Sequence, residues 1–152
     1  MEPSLGVDRD RNLAADTGLL LIRVMLGVVL MYHGSQKPYG LFDGPGIRGF
    51  ASMLEKLQVP SPLVSATLAG CAEFFGGLLI FLGLLTRIAT LPVVFNMLVA
   101  CFTVHKGKFG GQIGGMEYPL TLAVVCAGLG LIGAGRFSVD ALLSRNPREL
   151  PP

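Results

Sequence analysis

Residues 18–34 read GLLLIRVMLGVVLMYHG, seventeen residues with a single charge, Arg23, and a histidine only at the end. At about 1.5 Å per residue, a helix crosses the hydrocarbon of a bilayer in about 20 apolar residues, and in fewer where the bilayer is thin or deformed. Three further runs have the same character, over 63–85, 88–104 and 118–133. All four are continuous rather than alternating, which excludes barrel strands. In lipid only helices or closed barrels satisfy the backbone. The pattern therefore predicts an all-α fold, an integral membrane four-helix bundle. The first run continues into HGSQKP with no small-residue cleavage pattern, so it reads as a retained span and not as a signal peptide.

The composition agrees. Of 152 residues 51% are hydrophobic and 14% charged, against about 25% charged in soluble domains, and mean hydropathy is +0.62. Four spans leave no room for a soluble domain of ordinary size. The net charge of +2 carries no clustered basic face, so no nucleic-acid partner is expected. Cys71, Cys101 and Cys126 all sit in apolar runs, with no CxxC and no zinc spacing. They read as small packing residues. No P-loop, GxSxG, HExxH or dinucleotide fingerprint occurs.

The spans divide the chain into a polar N-terminal segment (1–16), a membrane domain (17–143) and a C-terminal tail (144–152), the polar stretch beginning at Gly135. The first loop is long, Ser35 to Pro62. It opens with the turn-rich KPYGLFDGPG. It then places Ile47, Phe50, Met53, Leu54 and Leu57 at helical spacing. That predicts a short amphipathic helix at the interface, ended by Val59-Pro60. Outside the spans, six Lys and Arg fall on the side of the termini (Arg9, Arg11, Arg87, Arg136, Arg145, Arg148) and five on the other (Lys37, Arg48, Lys56, Lys106, Lys108). Cytoplasmic termini are expected from this bias, with the first and third loops on the outer side.

Ionisable residues inside spans are costly and are the first functional candidates. Arg23 and Glu73 each lie eleven residues in from the outer ends at Gly34 and Pro62. Matched depth on adjacent antiparallel helices predicts a buried ion pair. Small residues support it: Arg23, Gly27, Gly34 and Lys37 share one helical face, and Ala66, Ala69, Gly70, Glu73 and Gly77 share another, which lets backbones approach closely. A second cluster is expected at the outer rim, where His33, Lys37, His105 and Glu117 end or begin spans. Such groups beside apolar walls suit a quinone or a lipid headgroup, with His33, His105 and Glu117 exchanging protons and Lys37 holding negative charge. No metal is expected, since two His and one Glu show no ligand spacing. Asn96, alone in the third span, is expected to hydrogen-bond across helices.

The chain resembles the DoxX family of small four-helix bacterial membrane proteins. The resemblance rests on RVMLGVVLMYHGSQK (23–37), AEFFGGLLIFLGLLTRIAT (72–90) and GMEYPLTLAVVCAGLGLIGAGRFSVD (115–140), in that order, together with FDGPGIRGFASMLEKLQVP in the first loop. It implies an inner-membrane location and a polar pattern of Arg23, His33, Lys37, Glu73, Arg87, His105 and Glu117. It also implies kinship with DoxD-type membrane subunits of thiosulfate:quinone oxidoreductases. The function expected is a membrane subunit of a quinone-linked or thiol/sulfur redox system. Lacking a cysteine pair, such a subunit needs a quinone or a soluble redox enzyme as partner. The alternatives are a non-catalytic scaffold that docks a soluble enzyme and, third, a homo-oligomer that transports a small solute or protons.

Overall fold

The computed structural model describes residues 5–110 and 114–144. The described chain is all-helical: α1 (Leu5–Tyr39), α2 (Gly46–Lys56), α3 (Pro62–Leu82), α4 (Thr86–Thr103), α5 (Glu117–Ile132) and the short α6 (Val139–Leu143). Three stretches are long and apolar enough to cross a membrane, Leu13–Tyr39, Pro62–Leu82 and Thr86–Thr103, and α5 is apolar but shorter. The four apolar helices form a bundle in which α1 packs most extensively on α3, and α4 on α5.

One core runs through all four: Leu26 and Leu30 of α1, Ile80 of α3, Val93 and Met97 of α4, Ala123, Cys126 and Leu129 of α5. Large apolar side chains also cover the outside. Phe95 and Phe102 are each 70% exposed and Leu131 81%. A water-facing protein does not spread its aromatic and aliphatic bulk this way; a lipid-facing one does. The protein is a membrane helical bundle.

The α1–α3 seam is built from glycine. A Cβ added at Gly27 would lie 2.7 Å from Phe81 Cβ, one at Gly77 2.8 Å from Leu30 Cβ, and one at Gly34 2.7 Å from Phe74 Cα. No side chain fits there, so the two backbones touch and their register is fixed.

The first span does not end at Gly34. Helix α1 continues to Tyr39, because its polar last turns find partners. Ser35 Oγ donates to Tyr32 O at 2.7 Å, His33 Nδ1 lies 3.2 Å from Gln36 Oε1, and Lys37 reaches α3. The chain then turns through Gly40, Phe42 and Asp43, all at positive φ, into α2. That helix is amphipathic as expected: Phe50 and Leu54 bury themselves against Ala66 of α3, and Arg48, Glu55 and Lys56 are exposed. It caps the end of the bundle where α3 outruns α1.

At the opposite end, the stretch from Gly135, expected as a tail, folds back onto the bundle as far as Ser144. Residues 145–152, most of the expected tail, lie outside the described residues, as do residues 1–4 and 111–113. Asp140 organises the fold-back. Its carboxylate accepts from Leu85 N–H at 2.7 Å and Thr86 N–H at 3.1 Å, and its own N–H donates to Gly83 O at 2.8 Å. A side chain distant in sequence thus satisfies the open N–H groups that begin α4.

Candidate functional site

The seam decides which charges meet. With Gly34 against Phe74 and Gly70 against Pro38, where an added Cβ would come within 2.9 Å of Pro38 Cδ, Glu73 lies level with the last turns of α1. Lys37 extends from there and pairs with Glu73 Oε2. From α4, Asn96 Nδ2 donates to Glu73 Oε1 at 2.7 Å. Glu73 is 2% exposed, and both of its oxygens are engaged. The Lys37 ammonium also sits 5.3 Å from the centre of the Phe50 ring, a cation–π contact that brings α2 over the pair. Three helices and the interfacial helix thus converge on one carboxylate near the middle of α3.

The expected Arg23–Glu73 pair is not formed. Arg23 lies about three helical turns away, beside Gly83, and donates to Phe137 O of the fold-back segment. It is 3% exposed, and its Nε and Nη1 find no partner among the described residues. The charge of Asp140 lies within electrostatic reach. The depth comparison failed because it took Gly34 as the end of the helix, while the glycine contacts set the true register.

Beside the Lys37–Glu73–Asn96 cluster lies a partly open cavity of about 420 Å³, lined mainly by α2, α3 and α4. Its walls are apolar: Phe50, Met53, Leu54, Leu68, Phe95 and Val99 among them. The polar groups lining it include Lys37, Glu73, Asn96 and His105. His105 follows the end of α4, where its N–H reaches back to Ala100 O at 3.1 Å, and its Nδ1 lies 2.7 Å from Gly114 O.

The four rim candidates share one end of the bundle but not one site. Lys37 and His105 line the cavity. His33 does not; its Nε2 lies 3.1 Å from Tyr118 OH at the start of α5. Glu117 is exposed in the first turn of α5 and also lies off the cavity wall. Arg87 is exposed in the first turn of α4, at the far end. Among the described residues no group of three or more His, Cys, Asp or Glu is placed to hold a metal ion. The cysteines are free, Cys101 and Cys126 buried and Cys71 half-buried. Sequence reasoning missed Asp140, Tyr118 and the Phe50 contact. Of these only Asp140 left a signal, two residues after Ser138, whose Oγ accepts from Ala141 N–H at 3.1 Å to start α6.

The DoxX family model matches residues 18–106, more than half of the chain. The chain belongs to the DoxX family. Among curated relatives, it is 33% identical to "Uncharacterized membrane protein Rv3486" of Mycobacterium tuberculosis over 140 residues, 84% of this chain and 82% of that one. It is 27% identical to "Putative oxidoreductase CatD" of Bacillus subtilis over 139 residues, 91% of this chain and 96% of that one. It is 26% identical to "Inner membrane protein YqjF" of Escherichia coli over 132 residues, 86% and 95% respectively. No solved structure matches. The DoxX match spans α1 to α4 and so includes Lys37, Glu73, Asn96 and His105.

Proposed function

We propose that this DoxX protein is a four-span component of a bacterial inner-membrane redox system that binds a membrane quinone in the cavity beside Glu73. The observation that carries the reading is the cavity itself. A space of about 420 Å³ is of small-ligand size, and apolar walls with a few placed polar groups are the usual make-up of a ligand site. A carboxylate, an ammonium and an amide joined within a membrane bundle mark a site by default. The redox assignment draws on the name of the Bacillus subtilis relative and on the fit of a hydrogen-bonding ring with an apolar tail. With no cysteine pair for dithiol chemistry among the described residues, the electrons in this reading come from a soluble partner enzyme.

Mass spectrometry of organic extracts from detergent-purified protein tests this. Wild type is expected to retain about one prenylated quinone per chain. The Asn96→Leu/His105→Ala double variant is expected to lose it, and Glu117→Gln, off the cavity wall, to keep it. Wild type free of quinone would overturn the reading in favour of a scaffold that docks an enzyme without chemistry of its own.

A further inference from the structure

The hydrogen-bonding atoms of the cavity have a definite polarity. Asn96 spends its amide N–H on Glu73 Oε1. A carboxylate oxygen accepts, so this fixes the amide orientation and leaves Oδ1, an acceptor, without a hydrogen bond among the described residues. His105 is fixed the same way. Gly114 O can only accept, so Nδ1 carries a proton, and in the imidazole form Nε2 offers a lone pair. Lys37 has three N–H donors and commits one to Glu73.

A quinone ring carries acceptors only. It can meet Lys37 but leaves Asn96 Oδ1 and His105 Nε2 without a donor, and an acceptor that a ligand covers without hydrogen-bonding it is expensive. A quinol carries two O–H groups. Each donates to one acceptor, and the oxygen nearer Lys37 can still accept from it. Lys37 therefore does not discriminate between the two forms, and Asn96 and His105 do.

Asn96 and His105 both line this one cavity. Phe95, 70% exposed and lining the cavity, brings part of the cavity wall to the surface of the bundle.

We infer that the cavity is a quinol site, holding a para-dihydroxylated ring along α4 with one hydroxyl on Asn96 Oδ1 and the other on His105 Nε2, in preference to the quinone. The inference rests on the redox reading for the type of ring, and on hydrogen-bond polarity for its form.

Three probes with the same short alkyl tail test it by anaerobic equilibrium binding to purified wild-type protein: a benzoquinol, the matching benzoquinone, and the bis-methyl ether of the quinol, which keeps the acceptors and lacks O–H. The quinol is expected to bind about tenfold tighter than either of the others, the effect of a hydrogen bond lost at a buried partner. Asn96→Leu and His105→Phe, each verified as monodisperse, are expected to shrink that advantage to about threefold or less by weakening quinol binding. Equal binding of quinol and quinone, or of quinol and ether, would overturn the quinol assignment and leave the redox reading standing. No binding of any probe would overturn both.

Discussion

At the scale of single residues, the bundle holds one buried cation, Arg23, and one half-buried, Lys37, and treats them differently. Lys37 meets a carboxylate and an aromatic face. Arg23 meets a backbone carbonyl, with Asp140 within electrostatic reach. Breaking a buried pair strands the remaining charge, at about 3–5 kcal/mol, whereas replacing both partners by apolar groups is often neutral. Lys37 is one-fifth exposed, so Lys37→Met alone is expected to cost about 3 kcal/mol, toward the lower end of that range. The double variant Lys37→Met/Glu73→Leu is expected to regain most of it. Arg23→Met and Glu73→Leu are far apart and should add within about 0.5 kcal/mol. Denaturant unfolding in detergent gives both double-mutant cycles. Strong coupling of Arg23 to Glu73, with none between Lys37 and Glu73, would contradict the register described here.

At the scale of elements, that register is a glycine property. Gly34→Ala would press a methyl group onto the α3 backbone at Phe74. The helices must then separate, at about 1–3 kcal/mol, and Lys37 is drawn off Glu73 with them. Gly18→Ala, on the same helix with nothing within 4 Å, is expected to be neutral or to stabilise by about 0.5–1 kcal/mol. Thermal unfolding of the two variants in one detergent separates the effects, and equal losses would remove the seam as the cause. The same seam explains what the sequence could reveal. Helical projection put Gly27, Gly34 and Lys37 on one face and Gly70, Glu73 and Gly77 on the other, and these faces do meet. Composition and run length located the four helices to within a few residues, except α1, which begins at Leu5, within the segment expected as a polar N-terminal stretch, and runs on to Tyr39. Sliding one helix along the other keeps the faces and changes the partners, so Glu73 passes from Arg23 to Lys37. Nothing in a single sequence measures that slide. The fold-back of Asp140 onto Leu85 and Thr86 was hidden for a related reason: it joins positions far apart in the chain through backbone N–H groups, which carry no residue signature.

At the scale of the whole molecule, the two ends of the bundle differ. One end holds α2, the Lys37–Glu73–Asn96 cluster and the cavity that His105 lines. The other holds the Gly83–Leu85 turn, Arg23 and the Asp140 cap. Four crossings would set these ends on opposite sides of the membrane. Helix α5 is the element on which this depends: its 16 residues reach only about 24 Å, less than the roughly 30 Å of hydrocarbon. The shortfall is met if the bilayer thins around it. Lys106→Cys and Arg136→Cys flank α5 at its two ends, both at exposed positions. In a background with Cys71, Cys101 and Cys126 replaced, a membrane-impermeant thiol reagent applied to intact cells, with the outer membrane permeabilised where one is present, is expected to label Lys106→Cys. It should reach Arg136→Cys only after the inner membrane is opened. The reverse pattern would keep four crossings and invert the orientation, so that the cavity lies toward the cytoplasmic face. Labelling of both from one side would show that α5 does not cross. In that case α5 would lie against the bundle from one face, and the charge bias that places both termini in the cytoplasm would no longer apply.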